Sequence, residues 1–263
     1  MTTEQSAALG DSLDKQWITA HGDNVFAAFP NKQQQRFNFE KVFVLKSTDG
    51  GETFTNQGLA VTFNSPPAVY QNTSFRDGID DYFQVSPFDG SLLLAYQDFN
   101  LEGTGTADIF ALISKNGGLT WSSPILVNDD PKTAATDELQ PAIAASPTGR
   151  IAVSFYDRRL ACPTNDPNII PAHSGATNFC LNTSVQFYDA DLAPIGHNVR
   201  ASARTWDPEQ QRVFTRSGQG FIGDYFGLAM SSTRTFVLNV STADLGSNPA
   251  HFQQQILQTL STP

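Results

Sequence analysis

Short apolar or alternating runs rich in Val, Phe, Tyr and Ile recur along the chain between clusters of Gly, Pro, Asn and Asp. Runs of this length bounded by turn residues predict β-strands, and no segment carries the period of a convincing helix. The one ambiguous stretch, His251–Leu260, is read as a strand from its place in a repeat. That repeat runs four times: an acidic residue, a strand, a polar turn, a second apolar strand ending in a polar cluster, then a third strand. The acidic starts are Asp14, Asp80, Asp137 and Asp224, and the second strands are Asn24–Phe29, Ser91–Tyr96, Arg150–Tyr156 and Thr235–Val240. Third strands follow at Lys41–Leu45, Asp108–Ile113, Ser184–Tyr188 and the C-terminal segment.

Two of the third strands run into the same eight-residue turn, Ser47-Thr-Asp-Gly-Gly-Glu-Thr-Phe54 and Ser114-Lys-Asn-Gly-Gly-Leu-Thr-Trp121. Glycines where φ must be positive, a side chain that bonds its own turn and an aromatic plug make a self-contained hairpin connection. The pattern Ser-x-Asp-x-Gly-x-Thr-aromatic is the Asp-box, or BNR repeat, with Asn116 replacing Asp in the second copy. The chain resembles the sialidase-like Asp-box β-propellers, in their exo-sialidase-like branch. The segments Phe75-Arg76, Asn128-Asp-Asp-Pro131, Ser154-Phe-Tyr-Asp-Arg-Arg159 and Gly223-Asp-Tyr-Phe-Gly-Leu-Ala229 carry the same likeness, and Tyr188-Asp-Ala-Asp-Leu192 looks like a degenerate third box.

The expected fold is therefore all-β, a single β-propeller domain over 1–263 with blades at about 11–62, 70–132, 136–204 and 220–260. Sialidases that the chain resembles have six blades, so four imply the C-terminal portion of a six-bladed ring or a truncated gene product. The alternative is a closed four-bladed ring in which residues 3–9 supply the missing outer strand. An incomplete ring leaves open sheet faces, which predicts a homo-oligomer.

Composition narrows the partners. Twenty-six acidic against sixteen basic residues give a net charge of −10. Such a chain repels phosphate backbones and anionic headgroups, and its basic residues are scattered, so nucleic acid is excluded as a partner. No apolar run approaches the roughly 20 residues that a bilayer demands, so no membrane insertion is expected. The first ten residues carry neither the basic nor the apolar segment of a secretory signal. Cys162 and Cys180 flank a loop rich in Pro, Asn and Gly, where a disulfide would rigidify an excursion from blade three. The expected location is extracellular or periplasmic with the signal segment absent from this chain, the cytoplasm being the alternative in which both thiols stay free.

In a propeller the residues before each innermost strand, and those ending the second strand, share one face. This logic gathers Asp14, Asp80, Asp81, Asp137, Glu138, Asp224 and Tyr225 near the axis, with Asp98, Asp157, Arg158, Arg159 and Asp244. The two boxes fall on the opposite face and are structural. Carboxylates crowded around an axis raise one another's pKa, as a general acid requires, and also suit a hard cation. No motif demands a cofactor, and Ca²⁺ is the cation that the oxygen-rich set favours over transition metals.

The resemblance implies an arginine cluster for a substrate carboxylate, a tyrosine nucleophile assisted by a glutamate, and an aspartate acid/base. Mapped onto this chain, the arginines are Arg76, Arg158, Arg159 and Arg216, beside Asp224; the nucleophile pair is Tyr225 with Glu138; the acid/base is Asp80 or Asp157. Guanidinium forks grip a carboxylate bidentately, and a neutral tyrosine does not repel it. The Phe-Arg-Ile-Pro motif that opens active sialidases is matched here only in its first two residues, Phe75-Arg76-Asp77-Gly78. The aromatics Phe99, Phe179 and Trp206 are candidates to stack on sugar rings. Three readings follow: a propeller that binds a glycan or protein ligand through its acidic face without catalysis, a sialidase-type glycoside hydrolase, and a purely structural or truncated domain.

Overall fold

The structure is a computed structural model, and it describes residues 12–13, 15–32, 39–67, 69–70, 72–77, 81–99, 105–131, 133–210, 220–243 and 254–263. The strands are β1 (Ser12–Leu13), β2 (Trp17–His21), β3 (Asn24–Lys32), β4 (Phe39–Ser47), β5 (Thr55–Asn64), β6 (Phe75–Arg76), β7 (Asp81–Val85), β8 (Leu92–Phe99) and β9 (Ala107–Ser114). There follow β10 (Ile125–Leu126), β11 (Glu138–Ala145), β12 (Ile151–Asp157), β13 (Asn182–Tyr188), β14 (Pro194–Arg200), β15 (Gly220–Phe221), β16 (Gly227–Met230), β17 (Arg234–Ser241) and β18 (Gln254–Ser261). Helix among the described residues is confined to two short 3₁₀ turns, Pro171–His173 and Pro208–Gln210.

Each repeat folds into one antiparallel, blade-like meander. The sheets run β7-β8-β9-β10, β11-β12-β13-β14 and β16-β17-β18, the last with three strands, as the sequence pattern predicts. In the first sheet β1 and β2 both pair with β3, Ser12 opposite Lys32 and Trp17 opposite Ala28. They are one inner strand broken at Lys15, whose φ of 56° takes the chain out of the ladder. The segment that would supply an extra outer strand, residues 3–9, lies outside the described residues.

Successive sheets pack face to face. Phe83, Val85, Leu92, Leu94 and Leu112 of the second sheet meet Phe26, Ala28, Val42, Val44 and Phe63 of the first. Its other face, with Leu93, Ala95, Ile109 and Ala111, meets Ile143, Val153 and Phe155 of the third. The third meets Leu228 and Val237 of the fourth through Ala144, Ala152 and Val185, with Tyr156 edge-on to Phe226. β11, β12 and β13 are buried at every position, so both faces of the third sheet are covered, and the polar side chains of β13 are enclosed with the apolar ones.

The paired turns have one construction. Ser47 Oγ accepts from the Gly51 amide at 2.8 Å, and Asp49 Oδ1 accepts from the Thr53 amide at 2.9 Å. In the second turn Ser114 Oγ accepts from Gly118 at 2.9 Å, and Asn116 Oδ1 accepts from Thr120 at 2.9 Å. Asn116 loses the charge of its counterpart and keeps its acceptor, while its amide donates to Thr120 Oγ1 at 2.8 Å. Gly118, at φ 96°, also lets the turn close on the first sheet, since a Cβ there would stand 3.3 Å from Val44.

Candidate functional site

The starts of the inner strands and the ends of the second strands meet on one face, around a buried polar plug. Asp77 is its hub: Oδ2 accepts from Tyr70 Oη at 2.7 Å and from Gln97 Nε2 at 2.7 Å, and Oδ1 accepts from Gln140 Nε2 at 3.1 Å. Gln140 also donates its amide N–H to Gln97 Oε1 at 2.8 Å and Nε2 to the Gly223 carbonyl at 3.1 Å. It sits at φ 51° in a bulge between Leu139 and Ala142. Pro141, which has no N–H to give to the ladder, is accommodated at that irregularity. Sequence reasoning missed Tyr70, Gln97 and Gln140; the dipeptide Gln140-Pro141 inside an apolar strand was the available signal.

Beside the plug, Asp137 and Arg158 form a buried ion pair, Nη1 to Oδ2 at 2.9 Å. Asp137 accepts in addition from Asn178 Nδ2 at 2.9 Å and from the Ala107 amide at 3.1 Å. The guanidinium of Arg158 is 0% exposed and lies over the Tyr70 ring at 6.0 Å. It binds the end of β12 to the start of β11 and has no open side for a ligand.

A second cluster lies between the second and third sheets. Arg159 pairs with Asp129 at 2.6 Å and Asp157 at 2.8 Å, and donates to Asn198 Oδ1 at 2.9 Å. Asp157 accepts from Ser184 Oγ at 2.7 Å. Its cross-strand partner Glu138 is fully buried. Burial, together with Asp130 and Asp157, pushes the Glu138 carboxyl well above the ordinary glutamate value. Among the described residues no group of three or more carboxylate, imidazole or thiolate side chains is arranged to hold a metal ion.

The third cluster opens to solvent. The two-residue strand β6 pairs in parallel with β15, Gly220 opposite Phe75 and Phe221 opposite Arg76. This pairing, invisible to a repeat-based reading, carries Arg76 to the entry of the fourth sheet, where its Nη2 reaches Asp224 Oδ1 at 2.6 Å. Lys15 Nζ, delivered by the break between β1 and β2, reaches Asp224 Oδ2 at 3.0 Å. Against the upward push of partial burial, these donors hold the Asp224 carboxyl below its ordinary value. Tyr225 is 70% exposed, with Lys15 Nζ 5.5 Å from its ring centroid.

Of the residues singled out from sequence, Arg76, Asp224 and Tyr225 are thus gathered. Arg158, Arg159 and Arg76 are each neutralised by a different carboxylate, and Glu138 faces the joint between sheets rather than Tyr225. Asp80 and Arg216, like Asp14 and Asp244, lie outside the described residues. The stacking aromatics need correction. Trp206 is 0% exposed and edge-on to Tyr156 at 5.7 Å, and Phe179 stacks on His173 at 4.2 Å. Phe179 fills the core of the loop after β12, while Trp206 packs in the core between the third and fourth sheets, because a large ring gains more from burial there than from the rim.

Cys162 and Cys180 are joined, and the loop that they close packs through Ile169 and Phe179. His173 Nδ1 ties it to Asp207 at 2.8 Å. A rim cleft of about 500 Å³ opens there, lined by Pro163, Asp166, Pro167, Ile169 and Pro171 among others. No helix among the described residues is long and apolar enough to cross a membrane.

No protein-family model and no curated protein matches the chain. Among solved structures it is similar to the endosialidase of phage phi92, at 8% identity and TM-score 0.56, over 95% of this chain and 36% of that one. It is similar to the Hadza microbial sialidase Hz136, at 12% identity and TM-score 0.51, over 95% of this chain and 44% of that one. An α-L-arabinofuranosidase of Fusarium graminearum solved with arabinobiose matches at 10% identity and TM-score 0.49, over 94% of this chain and 76% of that one. At such identities the likeness is one of fold alone, that of blade-like antiparallel sheets packed in series.

Proposed function

We propose that this chain is a sialidase-like Asp-box propeller, a single domain over 1–263, that binds a glycan or glycoprotein at its axial face without hydrolysing it. The observation that carries the reading is the open cluster: the exposed Tyr225 ring beside Lys15, Asp224 and Arg76. A flat aromatic face stacks on the C–H surface of a sugar, while the charged groups around it orient hydroxyls or a carboxylate. The dispersal of the arginines argues against turnover, because a hydrolase of this type needs several guanidiniums free for one carboxylate, and Arg158 is fully buried against Asp137. The disulfide supports an extracellular or periplasmic setting.

The test is a glycan-array screen on purified protein with a fluorogenic sialoside assay in parallel. Binding without turnover, weakened at least tenfold by Tyr225→Ala and by Arg76→Ala with unchanged folding, is the expected result. Turnover that Tyr225→Phe abolishes would replace this reading with a sialidase-type hydrolase using Tyr225 as nucleophile. Binding that survives both substitutions would move the site elsewhere.

A further inference from the structure

The joint between the second and third sheets carries charge that its bonds do not explain. Glu138, at the start of β11, is the cross-strand partner of Asp157 on β12, and Asp157 is in turn the partner of Asn182 on β13. In this row the three side chains share one face of the sheet, with opposite Cβ atoms about 5 Å apart. The row caps the apolar layer that Ile143, Val153 and Phe155 form with Ile109 and Ala111. Asp157 is satisfied, by Ser184 Oγ, by the Arg159 amide at 3.0 Å and by the Arg159 guanidinium. Glu138 is not: both its oxygens are buried and neither has a hydrogen-bond partner, and Asn182 Nδ2, further along the row, is buried and unpartnered as well.

Groups facing Glu138 come from every element packed against it. Asp108 lies on β9, Asp130 in the loop after β10, and Asp157, Arg158 and Arg159 at the end of β12. Arg158 is committed to Asp137, and Arg159 to Asp129 and Asp157. Asn128 ties Asp108 to Asp130 through one amide, at 2.7 and 2.8 Å. An ionised Glu138 would therefore be a buried anion with no donor, facing further carboxylates. Such an anion is costly in a dry joint, and a protein meets that cost by keeping the proton.

We propose that the joint between the second and third sheets is a proton-binding site, in which Glu138 carries a structural proton that spares the joint a further negative charge among its carboxylates. Departure of that proton leaves like charges facing one another across the joint and loosens it. The direction follows from linkage. A carboxyl whose folded-state pKa is raised contributes stability that is fully present below the ordinary glutamate value, about 4.3, and is lost as pH rises through the folded-state value. The chain should therefore weaken toward alkaline pH at this joint, and Gln, which mimics the protonated acid in shape and charge, should remove the weakness.

The experiment is thermal unfolding of the full chain and of Glu138→Gln from pH 4.5 to pH 9, in EDTA and again with millimolar Ca²⁺. The expected result is a variant with the wild-type melting temperature at pH 4.5 and one several degrees higher at pH 9, the same in both buffers. Infrared difference spectra of the wild type supply a readout independent of the variant's folding: a protonated-carboxyl C=O band at neutral pH that Glu138→Gln lacks. Absence of that band in the wild type overturns the proposal. So does a wild type that Ca²⁺ stabilises while the variant is unaffected, since the site would then hold a cation and not a proton.

Discussion

Asp137→Ala tests whether the face that gathers the strand ends is held by buried charge. Asp137 is the sole acceptor described for three donors brought together from distant parts of the chain: Arg158 Nη1 at the end of β12, the Ala107 amide at the start of β9, and Asn178 Nδ2 in the disulfide-closed loop. Removing it takes away the carboxylate paired with a guanidinium that is 0% exposed. Breaking one side of a buried pair typically costs about 3–5 kcal/mol, most of it the charge left behind. With an unfolding entropy of about 2.1 cal/mol/K per residue, a chain of 263 residues loses roughly 5–9 °C of melting temperature for that cost. Urea unfolding followed by near-ultraviolet circular dichroism measures it. Arg158→Met should cost a similar amount, because it leaves Asp137 with two donors and a net charge. The double variant Asp137→Ala, Arg158→Met should cost much less than the two single changes together, since no uncompensated charge remains. A loss below about 1 kcal/mol for Asp137→Ala, or strict additivity in the cycle, would refute the reasoning.

Two further outcomes are expected. Reduction of the Cys162–Cys180 bridge, which closes a loop with a sequence separation of 18, should cost about 3 kcal/mol and expose Phe179 first, read as faster hydrogen exchange at Cys162 and Ala176 than in the sheets. Hydrogen bonds from Ser47 and Thr53 hold the Asp49 carboxyl below its ordinary value, so the stability it lends to its turn is present above about pH 3.9 and is lost as pH falls through the folded value. Asn116 cannot titrate, so acid should speed exchange of the Thr53 amide relative to that of Thr120, and Asp49→Asn should bring the two into line.

The sheets were legible because strand, turn and strand repeat with the same punctuation, and the two eight-residue turns fix where third strands end. The three-stranded fourth sheet followed from the same count. What lay beyond reach depended on pairings with no local signature. Nothing near Phe75 announces a parallel partner at Gly220, yet this contact brings Arg76 to Asp224. Lys15 carries no motif, and its reach to Asp224 depends on a single residue leaving the ladder at positive φ. Trp206 looks, in sequence, like a loop aromatic free for a ligand; its burial comes from the bridge Leu181–Trp206 and the Tyr156 ring beneath it.

Arg158 and Arg159 show why a list of axial charges does not reveal a site. They adjoin in sequence and sit where the second strand of the third sheet ends, so a reading by repeat assigns both to one face. At the end of an extended strand, however, consecutive side chains leave on opposite sides. Arg158 turns over Tyr70 and onto Asp137, and is buried there. Arg159 turns to the joint between the sheets, where it is the counter-ion of Asp129 and Asp157. Neither arrangement leaves a guanidinium for a substrate, and both leave acidic groups in excess: the joint keeps Glu138, Asp108 and Asp130 around one committed arginine. Where the inner strand of the first sheet breaks, Lys15 comes to lie over the exposed Tyr225 ring, and the parallel pair brings Arg76 to the neighbouring Asp224. The two proposals, ligand recognition at Tyr225 and proton retention at Glu138, then rest on the same distribution, in which the sheets' own cohesion engages Arg158 and Arg159 and the solvent-facing cluster is supplied by Lys15 and Arg76.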